Sequence, residues 1–319
     1  MGMPQLVVIT GPTASGKTAL AIELASHYQA EIVSADSRQV YRHLDIGTAK
    51  PTPAQQARIP HHLIDIIDPA ESFDAARFRQ RAIRAIQDIF GRGKQVFVVG
   101  GTGLYVRALT RGLFAGPAAD TAVRARLQQQ ENQEGRGFLH RQLQHVDPES
   151  AARLHPNDTV RLIRALEVFQ LSGTPMSQWQ REHRFQERPF DTLTIGLAVE
   201  RATLYERIEQ RCRVMLKEGL VEELRRIWAL GYSPELPVLQ TIGYAQVARL
   251  LGGQYTAEEA LEQMTQATRR LAKRQLTWFR AEPEVSWFAP TQLTQMRQAL
   301  DQFFAIPKGN RHADKLLRF

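Results

Sequence analysis

Cysteine is almost absent. Cys212 stands alone in 319 residues, which excludes an intramolecular disulfide and a cysteine-rich zinc site and fits a reducing cytoplasm. No apolar run approaches the ~18–20 residues needed to cross a bilayer, so no membrane segment is expected. Internal repeats and low-complexity tracts are also missing. Acidic residues are outnumbered, 33 against 41 Lys and Arg, for a net charge of +8. That balance suits a partner rich in phosphates, such as RNA or DNA, as well as it suits plain solubility. Hydrophobic residues at 43% and charged residues at 23% are ordinary for a globular chain. The length allows one large domain or two modest ones, each with its own core.

What the chain does hold is concentrated near its start. Leu6–Thr10 reads as a buried strand and runs into Gly11-Pro12-Thr13-Ala14-Ser15-Gly16-Lys17-Thr18, followed by a helical pattern over Thr18–Tyr28. This stretch therefore reads as a core strand rather than a signal peptide. Strand, G-x-x-x-x-G-K-T loop and helix make a phosphate trap. Loop N–H groups point inward and the helix N-terminus adds partial positive charge. Lys17 supplies a cation, and Thr18 offers a hydroxyl to a magnesium ion carried by the phosphates. The loop binds a di- or triphosphate without saying which.

Strand-like runs recur at Glu31–Ala35, Gln95–Val99 and Leu193–Val199, with helices expected at Ala75–Phe90 and Ala202–Glu218. This rhythm predicts an α/β fold, a parallel sheet wrapped by helices. Between Gly112 and Pro189 the strand signal stops. Helices are expected there at Thr121–Glu134, Gly137–Val146, Pro148–Leu154 and Asp158–Ser172, which reads as an all-helical insertion domain. The expected division is residues 1–111 and 191–319 for the core and 112–190 for the insertion. A helical part is expected from Ala202 to Phe304, then a basic, frayed tail at Lys308–Phe319.

Asp36 follows the second strand and should face the phosphate site, because ligands sit beyond the C-terminal ends of parallel strands. It could bind magnesium, act as a general base, or simply cap a turn. The third strand ends in Gly100-Gly101-Thr102-Gly103, where close backbone approach is allowed and Thr102 could touch a phosphate or its bridging oxygen. Arg207 and Arg211 lie one helical turn apart and read as a solvated pair. His61-His62 reads as a loop pair, since no metal-ligand spacing surrounds it.

Two segments could bind a polyanion. Arg269, Arg270, Lys273, Arg274 and Arg280 form one helical stripe with no acid inside it, and Leu271, Leu276, Trp278 and Phe279 between them offer core contacts or stacking surface. Arg161 and Arg164 share another face, where Glu167 is placed to pair with Arg164.

These motifs converge. GPTASGKT (Gly11–Thr18), SADSRQVY (Ser34–Tyr41), DIGTAKP (Asp45–Pro51), GGTGLY (Gly100–Tyr105), HPND-xx-R-xx-RALEV (His155–Val168), Gly243-Tyr244 and KRQLTWFR (Lys273–Arg280) occur in that order. Together the chain resembles the bacterial tRNA dimethylallyltransferases, the tRNA isopentenyltransferase family. The resemblance implies a P-loop NTPase-like core with the helical insertion. It also implies transfer of a dimethylallyl group from its diphosphate to the exocyclic amine of the adenine 3′ of the anticodon. The loop 11–18 would then hold dimethylallyl diphosphate rather than ATP, with Lys17, Thr18 and its magnesium, and Arg211 on the leaving diphosphate. Thr102 would touch the bridging oxygen and the adenine, and Asp36 would take the amine proton from a flipped-out base. Contacts to the tRNA anticodon stem-loop would come from Asp36, Ser37, Arg38, Gln39, Thr102 and Arg124. They would also come from Val160, Arg161, Leu162, Ile163 and Arg164, from Gln240, Thr241, Ile242, Gly243 and Tyr244, and from Lys273, Arg274, Gln275 and Arg280. A cytoplasmic monomer is implied, without the zinc finger of some eukaryotic relatives.

Three rivals share parts of this pattern. A small-molecule kinase explains the loop, a free-adenylate prenyltransferase explains the site, and a non-catalytic RNA-binding module explains the charge. None explains the insertion, the basic stripe and the Asp36–Thr102 arrangement together.

Overall fold

A computed structural model describes residues 3–305 of the chain; the expected tail at 308–319 lies outside the described residues. Six strands form one parallel sheet: β1 (Gln5–Thr10), β2 (Ala30–Ser34), β3 (His61–His62), β4 (Gln95–Val99), β5 (Asp191–Leu197) and β6 (Val285–Phe288). Their spatial order is β3-β2-β4-β1-β5-β6. Val7 pairs with Phe97 on one side and Leu193 on the other, so β1 is central. Strands covered on both faces read as continuous apolar runs, which is why β1, β2 and β4 are legible in the sequence.

Alternate side chains feed two cores. Val7, Ile9, Ile32 and Phe97 pack with α1 (Lys17–His27) and with the helix at Leu293–Ala305. Leu6, Val8, Val33 and Val98 pack with Phe78, Ile86 and Ile89 of the helix at Ala75–Gly91 and with Tyr105. This two-sided packing is the P-loop-like α/β arrangement expected.

Along the chain α1 is followed by α2 (Pro53–Arg58), α3 (Ala75–Gly91) and α4 (Gly103–Arg111). Next come α5 (Thr121–Glu134), α6 (Phe138–Val146), α7 (Pro148–Arg153), α8 (Thr159–Ser172) and α9 (Met176–His183). Past β5 lie α10 (Arg201–Lys217), α11 (Leu220–Ala229), α12 (Tyr244–Leu251), α13 (Ala257–Arg280) and α14 (Leu293–Ala305). Several start on side-chain caps: Asp74 accepts from Arg77 N–H at 2.8 Å, and Thr256 with Glu259 forms a capping box on α13.

Two compact units result. One runs to Thr110 and resumes at Pro189; the other is Arg111–Arg188. The first also contains a helical core in which Leu204, Ile208, Leu224, Tyr244, Val247 and Met264 are buried together. In the second, Leu127, Leu139, Leu143, Leu162 and Leu166 form a separate core. Among the described residues, no helix is long and apolar enough to cross a membrane.

Some expectations need correction. His61-His62 is the edge strand β3, paired with Ile32 and Val33 of β2, rather than a loop. The segment from Ala202 to Phe304 is not wholly helical, because Val285–Phe288 joins the sheet beside β5. Helix α9 was not foreseen, and β5 begins at Asp191 instead of Leu193. Both missed strands are too short to show a period, and their pairing partners are distant in sequence.

Candidate active site

The sheet places three turns side by side at the C-terminal ends of β1, β2 and β4. Thr10 Oγ1 donates to the Gly100 carbonyl at 3.0 Å, tying the β1 turn to the β4 turn. Ala35 N–H donates to Val99 O at 2.8 Å, and Thr102 N–H donates back to Ala35 O at 3.3 Å. The β2 and β4 turns cross so closely that a Cβ on Gly100 would overlap the Ala35 carbonyl. Only glycine fits there. The crossing positions Thr102, whose Oγ1 accepts from Ser37 N–H at 3.1 Å. Beside it, Asp36 Oδ1 accepts from Arg38 N–H at 2.8 Å and Gln39 N–H at 3.3 Å, a short-range turn that holds the carboxylate still.

Two cavities open from this point. One, of about 540 Å³, is lined by Asp36, Thr102, Gln240, Thr241, Ile242 and Arg274 among others. The second, of about 820 Å³, is lined by Ala14, Ser15, Gly16, Lys50 and Arg207. Lys17, Thr18, Ala49, Pro51, Arg211 and Met215 line both. The cations Lys17 and Arg211 therefore stand at the junction.

Electrostatics mark the same point. Burial, then the nearby Arg211 charge, pulls the Lys17 ammonium down from 10.5 to about 7, with Asp36 opposing the shift. Arg211 is likewise lowered by burial and supported by Asp36. Two desolvated cations with one carboxylate form a site that gains from a bound anion. Lys17 Nζ meanwhile donates to the Pro12 carbonyl at 2.6 Å. Ser15 Oγ, fully buried in the loop, has no hydrogen-bond partner among the described residues. A phosphate oxygen would satisfy both it and the loop N–H groups.

The family of IPP transferases matches residues 39–282. Among curated relatives, tRNA dimethylallyltransferase 2 of Syntrophus aciditrophicus is 53% identical over 90% of this chain and 92% of its own. A tRNA isopentenylpyrophosphate transferase structure from Bacillus halodurans aligns at TM-score 0.69 and 40% identity, covering 94% of this chain and 96% of that one. A eukaryotic dimethylallyltransferase described as acting on tRNA aligns at TM-score 0.78 and 28% identity, over 98% of this chain and 82% of that one.

This chain belongs to the IPP transferase family.

Not every residue that the family resemblance pointed to faces a ligand. Tyr244 is fully buried and its hydroxyl donates to Glu223 at 2.6 Å, so its ring is core rather than an RNA contact. In the second unit, Leu162 and Ile163 fill the core. Arg124 and Arg164 both turn onto the fully buried Glu167, at 2.7 and 2.5 Å, and Arg164 also donates to the Pro117 carbonyl at 2.9 Å. Arg124 thereby ties α5 to α8, and Arg164 ties α8 to the segment before α5. Val160, 80% exposed, and the exposed Arg161 remain outward on α8.

On α13 the stripe divides. Arg269 pairs with Glu209 at 3.3 Å and lies over the Tyr205 ring, so it does have an acidic neighbour. Gln275 bridges backbone, accepting from Thr13 N–H at 2.8 Å and donating to Gly101 O at 3.1 Å. Phe279 is core and Trp278 lies under Arg107 at 4.6 Å, which leaves Arg270, Lys273, Arg274 and Arg280 exposed.

Three contributors were missed. Residues 45–51, the DIGTAKP motif, line the two cavities between them, although the motif by itself assigns none of its residues to the site. His61 lines the first cavity, and burial keeps its imidazole below the usual histidine range, hence neutral at pH 7. Arg207, read as solvated, lines the second cavity one turn from Arg211.

Proposed function

We propose that this enzyme transfers a dimethylallyl group from dimethylallyl diphosphate to the exocyclic N6 amine of the adenine 3′-adjacent to the anticodon in tRNA. The observation that carries the reading is the junction itself: Lys17, Thr18 and Arg211 face Asp36 and Thr102 where two cavities meet. The diphosphate enters the cavity of Ser15, Arg207 and the loop, and the adenine enters from the side of Asp36, Thr102 and Arg274.

The amine nitrogen attacks the allylic carbon as its bond to the bridging oxygen breaks and diphosphate departs. An aromatic amine is a weak nucleophile, so the acceleration comes chiefly from neutralising the leaving group and aligning the reactants. Lys17 and Arg211 stabilise the leaving oxygens, Thr102 Oγ1 donates to the bridging oxygen, and Asp36 accepts the proton released from nitrogen. With Oδ1 held by two backbone N–H groups, Oδ2 is the oxygen left to take that proton.

Magnesium suits the Thr18 position. Thr18 lines both cavities next to Lys17, so its hydroxyl would hold a magnesium ion that arrives with the diphosphate. Such an ion supplies divalent charge to the diphosphate.

The exposed Arg270, Lys273, Arg274 and Arg280 meet the phosphates of the stem-loop, and the enzyme works as a cytoplasmic monomer. Incubation of the protein with labelled dimethylallyl diphosphate and tRNA, AMP or ATP tests this reading. Label should enter tRNA only. Labelled AMP would indicate a free-adenylate prenyltransferase, and ATP hydrolysis without prenyl transfer a kinase or ATPase.

A further inference from the structure

Glu223 lies on α11, only 2% exposed, and has no place in the chemistry above. Its carboxylate nevertheless accepts four hydrogen bonds from described residues beside the site. Oε2 accepts from Asp45 N–H at 3.0 Å and Ile46 N–H at 2.8 Å; Oε1 accepts from Gly47 N–H at 3.0 Å and from the Tyr244 hydroxyl at 2.6 Å. Three successive backbone donors on one carboxylate fix the course of the chain that carries them. Tyr244 completes the fit, because a Cβ on Gly47 would overlap its ring.

The segment so held is the wall of the reaction space. Gly47 and Thr48 line the first cavity, Asp45, Ile46 and Lys50 the second, and Ala49 and Pro51 both. Ala49 has a left-handed backbone (φ 48°), a conformation that a non-glycine residue keeps only where its surroundings impose it. The segment is also held from the β2 side, where Gln39 Nε2 donates to Ala49 O at 3.1 Å.

We propose that Glu223, together with Tyr244, is a positioning residue that holds residues 45–51 as the wall between the reaction space and water, so that the allylic carbon reaches the RNA amine before water does. The competing reaction balances simply. A water oxygen bonds to the allylic carbon, the carbon–oxygen bond to diphosphate breaks, a proton is released, and dimethylallyl alcohol forms. The inference rests on the transfer reaction proposed above.

The test uses the full chain, with labelled dimethylallyl diphosphate and tRNA. It reads alcohol formed per prenyl group transferred, donor KM, tRNA affinity and melting temperature, for wild type, Glu223→Gln and Tyr244→Phe. Glu223→Gln keeps the shape but, whichever way the amide lies, sets its NH₂ against at least one backbone N–H of residues 45–47. It should raise donor KM and the alcohol ratio roughly ten-fold, the scale expected when a buried donor loses its acceptor, with tRNA affinity unchanged. Tyr244→Phe keeps the ring against Gly47 and should move both quantities the same way by less. If Glu223→Gln does not fold, Tyr244→Phe decides. Folded variants with wild-type alcohol ratio and donor KM overturn the inference alone. A wild type that transfers no dimethylallyl group to tRNA overturns the reaction, and the inference with it.

Discussion

Gln275 accepts from the backbone N–H of Thr13 at 2.8 Å, from a position 262 residues further along the chain. The same side-chain amide donates to the Gly101 carbonyl, so one residue of α13 locks the β1 turn to the β4 turn. The helix that carries the exposed basic stripe is thereby fastened to the phosphate site. Gln275→Ala leaves a backbone donor unpaired and should cost about 1–3 kcal/mol of stability. Donor KM should rise more than tRNA affinity falls. Denaturant melts and initial rates check both, and a loss confined to tRNA affinity would return Gln275 to the RNA surface.

Asp36 has its own signature. Asp36→Asn keeps the two backbone hydrogen bonds to its side-chain oxygen but removes the proton acceptor. Transfer should fall by ~10²–10⁴-fold, the usual worth of a general base, with tRNA binding nearly intact. Single-turnover rates beside filter binding separate the two. If magnesium binding is lost instead, Asp36 is a metal ligand.

The Lys17 ammonium, lowered from 10.5 to about 7, makes donor binding depend on pH. Above pH 7 the free enzyme carries a neutral lysine, while bound diphosphate favours the charged form. Donor affinity should therefore decline as pH rises past about 7, and binding at pH 8 should take up a proton. Titration calorimetry in two buffers of different ionisation enthalpy measures that uptake. Between about 7 and 10.5 the unfolded chain binds more protons than the folded one, so this group makes the ligand-free fold more stable as pH rises. Lys17→Met should abolish both trends.

The basic stripe should behave as two parts. Replacing Arg270, Lys273, Arg274 or Arg280 by alanine should weaken tRNA binding and lower the salt slope by about one each, without changing donor KM. Arg269→Ala should instead lower the melting temperature slightly, since it removes one of the two arginines on Glu209 and one of the two over the Tyr205 ring. Salt-dependent binding curves distinguish the classes; an unchanged slope after replacing all four exposed residues would show a solvated face.

Away from the site, Glu31 on β2 is bonded by both Arg92 and the His62 ring. Its Arg92 hydrogen bonds hold the carboxyl down from 4.5 to about 2. Because the folded value is depressed, the stabilisation is complete above about 4.5 and is lost as pH falls through about 2. Melting temperatures of wild type and Glu31→Gln should differ at pH 6 and converge near pH 2. Parallel curves over that range would place the acid sensitivity elsewhere.

Much of this molecule is determined by the sequence alone. A strand buried on both faces must be a continuous apolar run, and a loop that wraps phosphate needs glycines and a lysine at set spacing. Leu6–Thr18 therefore announces β1, the loop and α1 without help. Helices such as α3 and α8 carry their own apolar periodicity and an aspartate cap, and Asp36 and Thr102 are locatable because parallel strands end where ligands bind. Tertiary structure alone decided which charges are free. Arg124 looks like an RNA contact until the buried Glu167 is found against it, Arg269 until Glu209 comes up beside it, and Tyr244 until Glu223 takes its hydroxyl. Sequence shows that a side chain carries a charge or a hydroxyl. Whether that group meets solvent, a substrate or a partner depends on residues tens of positions away, and only packing brings those together.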